Sequence, residues 1–124
     1  MGKLDFSPPY LTIRCDGVAL QDIRLAGERY AIGRRPENDI QLDDGAVSGL
    51  HAVLTLEPSA FLDGYREAWL TDLDSTNGTT INGTAVSRQR LVSGDVIGIG
   101  RHELLYSEQG VMDRTVVLLP DEPA

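Results

Sequence analysis

This chain is short of cysteine, histidine, positive charge and long apolar runs, and each shortage removes a class of function. The single cysteine, Cys15, cannot close an internal disulfide, and within an alternating strand pattern it reads as a core residue. With only two histidines beside it and no ligand spacing among them, no zinc or other metal site is expected. No apolar run reaches the length of a membrane span, and Met1–Phe6 lacks a signal-peptide core, so a cytoplasmic setting is expected. The sequons at Asn77 and Asn82 are then read as turns and not as glycosylation sites. Eleven Lys and Arg face nineteen Asp and Glu, a net charge of −8. That excess of acid excludes general nucleic-acid binding, which needs cations to displace counterions. It leaves room for one local anion site, because the arginines are grouped at Arg34-Arg35, Arg88, Arg90 and Arg101.

What is present is strand pattern. The 124 residues, 41% hydrophobic and 24% charged, suit one globular domain with one core. Leu11, Ile13 and Cys15 alternate with polar neighbours; so do Ala52, Leu54 and Leu56, and Leu104 and Tyr106. A period of two means half-buried strands. Further strands are expected at Val18–Leu25, Arg29–Ile32, Asp39–Leu42, Ala68–Leu73, Thr79–Ile81, Ala85–Val86, Asp95–Ile99 and Thr115–Leu119. Val18 and Leu20 are out of phase with Ile23 and Leu25, which predicts a bulge near Gln21. Asp16-Gly17 and Asn82-Gly83 fit two-residue hairpin turns. No segment carries a helical period. The class is therefore all-β, a sandwich or barrel. The ordered domain is expected over residues 10–119, between a flexible N-terminal segment, 1–9, and an acidic C-terminal tail, 120–124.

Three loop segments carry the polar chemistry. Gly33-Arg34 ends an apolar run, where glycine permits an unusual backbone angle or a close approach and arginine presents a fork of donors suited to phosphate oxygens. Taken alone, Arg34 reads as a solvated surface arginine after a strand, because loop arginines are common and mostly exposed. Ser48 precedes His51 by three residues, a spacing that suggests a nucleophile and its base. Yet if His51 opens a strand its imidazole has no reason to reach the Ser48 hydroxyl, and there is no Gly-x-Ser-x-Gly elbow, orienting acid or local oxyanion hole. No catalytic residue is assigned, and His51 is read as a partly buried histidine bonded to loop backbone. Ser75–Thr79 can be an ordinary turn, or a loop in which Thr76 offers a hydroxyl and Asn77 offers both a donor and an acceptor.

The joint pattern is more specific than its parts. Tyr30-Ala31-Ile32-Gly33-Arg34, Asn38–Asp44 and Val47-Ser48-x-x-His51-Ala52 are followed by Leu70–Thr79, Ile81-Asn82-Gly83 and Leu91-x-x-Gly94-Asp95-x-Ile97-x-Ile99-Gly100. In this order and spacing they resemble the forkhead-associated (FHA) domain family. The resemblance implies a β-sandwich of two sheets with about eleven strands and recognition loops at one end. It also implies binding of a phosphothreonine-containing protein or peptide in Ser/Thr-kinase signalling, with no cofactor, no nucleic acid and no membrane insertion. By resemblance, Arg34, Ser48 and Thr76 hold the phosphate and Asn77 pairs with the peptide backbone. Gly33, His51, Gly78, Asn82 and Gly83 brace the loops. The departure is Gly49. Many members carry arginine, lysine or asparagine there, whereas glycine offers the phosphate only its backbone N–H. The missing cation should weaken the binding of a group bearing about −1.5 to −2 charges. That keeps open an FHA-fold module that binds its partner without phosphate. Arg35, Arg88 and Arg90 are the candidate replacements, and Asp43-Asp44 would repel a phosphopeptide.

Overall fold

In the computed structural model, which describes residues 7–108, there are eleven strands and no helix. They run β1 Tyr10–Cys15, β2 Val18–Arg24, β3 Arg29–Gly33, β4 Ile40–Gln41, β5 Ala52–Pro58 and β6 Arg66–Asp72. The rest are β7 Thr80–Ile81, β8 Thr84–Ala85, β9 Arg88–Arg90, β10 Val96–Ile99 and β11 His102–Ser107. One sheet has the order β2-β1-β11-β10-β7-β8 and the other β4-β3-β5-β6-β9. The all-β, two-sheet expectation holds. The strand expected at Thr115–Leu119 and the domain limit at 119 fall outside the described residues.

Alternation becomes packing in rows across each sheet. Ile13, Leu104, Ile97 and Ile81 are cross-strand neighbours on β1, β11, β10 and β7, and all four are buried. Opposite them, Leu54 and Leu70 pair across β5 and β6, as do Leu56 and Ala68. Such cross-strand contacts are the unit of sheet stabilisation, and here they fix register because a one-residue slip would turn every buried side chain outward. Cys15, expected in the core, is only half-buried at the end of β1, its Sγ directed to Asp16.

The turns follow their sequence chemistry. Asp16 and Gly17 have φ of 52° and 80°, and Asn82 and Gly83 have 52° and 85°. Two consecutive left-handed residues make the hairpin turn whose twist matches the flanking strands. The β1–β2 pairing steps from Ile13↔Gln21 to Arg14↔Ala19, leaving Leu20 extra, which is the bulge that the phase change at Gln21 predicts. Strand β9 had no such signal. Its residues, Arg88-Gln89-Arg90, are all exposed on an edge, so no apolar alternation marks it.

Ile32, Ala52 and Asp72 form one row across β3, β5 and β6. Because β5 runs antiparallel to both neighbours, the C-terminal ends of β3 and β6 and the N-terminal end of β5 open at the same edge. All three polar loop segments start or finish there.

Candidate functional site

The loops are stitched to one another by main-chain hydrogen bonds that extend the sheet. Arg34 N donates to Ser48 O (2.9 Å), Arg35 N to Gly49 O (3.2 Å), His51 N to Ile32 O (2.8 Å) and Leu73 N to His51 O (2.9 Å). Gly33 makes this approach possible. A Cβ at residue 33 would lie 2.7 Å from Asn38 Nδ2 and 2.9 Å from the Gly49 carbonyl carbon, both too close for any side chain. Gly33 has no positive φ, so of its two expected uses the close approach is the one observed.

His51 joins the second and third loops. It is completely buried, not partly so. Its Nδ1 accepts from Ser48 N at 3.0 Å, which leaves Nε2 to carry the proton and donate to Gly78 O at 2.9 Å. Both ring nitrogens are thereby committed to main chain. The imidazole meets the amide of Ser48 and not its hydroxyl, so the pair is not arranged for proton transfer from a nucleophile.

Above this brace lies a small opening of about 140 Å³ lined by Arg34, Gly45, Ala46, Val47, Ser48, Thr76 and Asn77. It is below the roughly 300–1,000 Å³ of pockets that enclose drug-sized ligands, and it suits a single polar group. Arg34 Nε donates to Val47 O at 3.0 Å, which orients the guanidinium and leaves its two terminal nitrogens without partners among the described residues. Ser48 Oγ accepts from Thr76 N at 3.0 Å and keeps its own hydrogen to donate. Asn77 Nδ2 donates to Ala46 O at 2.9 Å, so its Oδ1 remains available. Four residues from three separate segments thus converge, with donors on Arg34, Ser48 and Thr76 and an acceptor on Asn77 around a space that suits one polar group.

The third loop owes its shape to Asp72. Its Oδ1 accepts from the hydroxyls of Ser75 (2.6 Å) and Thr79 (2.7 Å), and its Oδ2 from Ser75 N (3.1 Å). Ser75 Oγ in turn accepts from Gly78 N at 2.9 Å, and Gly78 closes the turn at φ 84°. Burial pushes the Asp72 carboxyl upward, but the Ser75 and Thr79 donors outweigh it and hold the pKa below its ordinary value. A depressed carboxylate contributes stability above its unfolded pKa and loses it as pH falls through the folded one. Protection of the Ser75 and Gly78 amides from hydrogen exchange is therefore expected to decline below about pH 4. Asp72→Asn, which cannot accept from all three donors, should show weak protection at every pH. Undiminished protection of the wild-type loop down to pH 2 would contradict this.

Asp44 corrects one expectation. It is buried, with Oδ1 accepting from Ala46 N (2.9 Å) and Oδ2 from Arg101 N (2.8 Å). These backbone donors hold its pKa below the usual carboxylate range against the cost of burial, helped by the Arg101 and His102 side chains. Its charge is spent on tying the second loop to the β10–β11 turn, so of the acidic pair only Asp43 faces solvent.

Other expected site residues lie apart. Asn82 and Gly83 form the β7–β8 turn, where Asn82 bonds Asp95 Oδ1 and Val96 N, both at 2.9 Å. Among the described residues no hydrogen bond joins them to the three loops. Gly49 adjoins Ser48 but does not line the opening. Arg88 is drawn along the sheet away from the loops, pairing with Glu57 at 3.2 Å and stacking 4.1 Å over Trp69. Arg90, two residues further along β9 from the loop end, pairs with Trp69 across the sheet. Neither replaces a cation at residue 49.

Sequence reasoning missed Asn38, Asp72 and the buried role of Asp44. Asn38 Nδ2 donates to Arg35 O (2.9 Å) and Gly49 O (2.6 Å), clamping the first loop to the second. Its available signal was an asparagine among turn formers, Pro36-Glu37-Asn38. For Asp72 the signal was a carboxylate followed at three and seven residues by hydroxyls.

An FHA-domain family model matches residues 30–100. The glycogen accumulation regulator GarA of Mycolicibacterium smegmatis is 35% identical over 88 residues, which is 65% of this chain and 51% of the relative. This chain thus spans about half the length of the curated relatives of that name. A solved FHA domain from a study of phosphothreonine-dependent FHA interactions superposes with a TM-score of 0.66 at 31% identity, covering 79% of this chain and 95% of its own. Mycobacterium tuberculosis EmbR, solved with a low-affinity phosphopeptide, gives 0.67 at 30% identity, covering 82% of this chain and 24% of EmbR. With the two-sheet fold, the converging loops and a family match over more than half its length, the chain belongs to the FHA-domain family.

Proposed function

We propose that this chain is a phosphothreonine-peptide-binding interaction module acting downstream of a Ser/Thr kinase, and that it is not an enzyme. The observation that carries this reading is the anchoring of Arg34 Nε on Val47 O, which leaves two guanidinium nitrogens without partners among the described residues, on a side chain that lines an opening shared with Ser48 and Thr76. A guanidinium fork matches phosphate oxygens bidentately. Ser48 and Thr76 add hydroxyl donors to the phosphoryl group, and Gly49 adds its backbone N–H. Asn77 Oδ1 accepts from the backbone of an extended peptide. His51, Gly33 and Gly78 hold the loops in place. FHA relatives solved in phosphothreonine or phosphopeptide studies support the same reading. The relative GarA is named a glycogen accumulation regulator, a regulatory role compatible with an interaction module. A cytoplasmic setting belongs to the proposal; Cys15 is a free thiol, and among the described residues no helix is long and apolar enough to cross a membrane.

The test is calorimetry with a phosphothreonine peptide selected from an oriented library, its unphosphorylated twin and its phosphoserine analogue. Affinity for the phosphothreonine form should exceed that for the unphosphorylated form by at least about a hundredfold. Equal affinity for the two would return the phosphate-independent reading.

A further inference from the structure

We infer that Arg35 is the second cation of this anion site, standing where residue 49 has no side chain; the inference rests on the phosphate-binding reading. Gly49 has no positive φ, so its backbone would accept any residue. What a side chain there would meet is Arg35. A Cβ at residue 49 would lie 2.6 Å from Arg35 Nε and 3.1 Å from Arg35 Cζ. The guanidinium therefore occupies the space that a side chain on residue 49 would fill.

Its position is built and not incidental. The Arg35 amide donates to Gly49 O at 3.2 Å, and Asn38 Nδ2 bonds the carbonyls of both Arg35 and Gly49. Residues 35 and 49 are thus locked side by side. Among the described residues the Arg35 guanidinium has no hydrogen bond and no carboxylate partner, unlike Arg14, Arg88 and Arg101, which all have one. An unspent cation held on this loop is poised for a ligand. Consecutive Cα atoms are about 3.8 Å apart, so a guanidinium over Gly49 lies well within a Debye length, roughly 8–10 Å, of anything bound at Ser48. Arg35 does not line the opening itself. It acts from the rim, where a charge adds attraction and salt dependence more than buried contact.

Binding of the phosphothreonine peptide and its unphosphorylated twin is measured at 50 and 300 mM NaCl for wild type, Arg35→Ala, Arg34→Ala, Gly49→Arg and Gly49→Arg/Arg35→Ala. Arg35→Ala should weaken phosphopeptide binding about five- to tenfold at low salt, with a smaller gap at high salt. Its melting temperature should match wild type, because the side chain is exposed and makes no hydrogen bond or ion pair among the described residues. Gly49→Arg displaces Arg35 and supplies the charge itself, so in that background removing Arg35 should change affinity less than about twofold. If Arg34→Ala abolishes binding while Arg35→Ala binds as tightly as wild type, the phosphate reading stands and the role of Arg35 is overturned. An equal loss for the unphosphorylated peptide would also overturn it, by assigning the charge to the peptide. If wild type itself does not distinguish the two peptides, both readings fail together.

Discussion

Arg34→Ala is expected to weaken phosphothreonine-peptide binding by about 2–5 kcal/mol, or roughly 30- to 4,000-fold. The size follows from preorganisation. Long side chains normally lose rotamer freedom on binding, about 0.5–1.5 kcal/mol each. Here the Nε–Val47 bond already fixes the guanidinium in the free protein, so little of that cost remains. The substitution also leaves a dianionic group facing a site with one fewer cation in an acidic protein. Arg34→Lys should recover only part of the loss, since an ammonium can neither bond Val47 O through Nε nor present a planar fork. Arg34 is exposed, and Nε–Val47 is its only side-chain bond to the described residues, so the urea midpoint of Arg34→Ala should move little. A calorimetric affinity unchanged from wild type would remove Arg34 from the site.

His51→Ala is expected to have the largest effect on stability among the loop residues, about 2–5 kcal/mol by urea unfolding. The imidazole is fully buried, and its removal leaves a cavity and two main-chain groups, Ser48 N and Gly78 O, without partners. An unsatisfied buried donor or acceptor costs about 1–3 kcal/mol each. Affinity should fall too, because Ser48 on one loop and Thr76 on the other are kept in register through this ring. His51→Gln, which retains one acceptor and one donor, should recover part of both losses. A His51→Ala protein that unfolds at the wild-type urea concentration would show that the loops hold their places without the brace.

These two residues show how far the sequence could be read. Arg34 was legible as a phosphate contact only through the family resemblance, because a Gly-Arg pair at the end of an apolar run reads by itself as a solvated loop arginine. His51 was legible as a histidine bonded to loop backbone, because its position at the start of a strand gave it no reason to reach the Ser48 hydroxyl. Its complete burial and its two partners, Ser48 N and Gly78 O on separate loops, came only from the tertiary structure. The cation expected beside Ser48 had three candidates in the sequence. Arg88 and Arg90 turned out to lie on an edge strand with no alternation to announce it, and Arg88 is held by Glu57 and Trp69. Asp44 looked like a surface charge and is a buried tie.

By itself, the sequence determined the all-β class, the positions of most strands, both Asx-Gly hairpin turns and the β2 bulge. These depend on period and local backbone preference, which neighbouring residues encode directly. It also set the inventory of donors in the loops. The tertiary structure alone decided which donors share an opening, which arginine stands at Gly49, and which acids are spent inside the protein. Those are contacts between segments as much as 57 residues apart, as with Asp44 and Arg101. Their direction is set by how two sheets and three loops pack, and no local pattern carries that information.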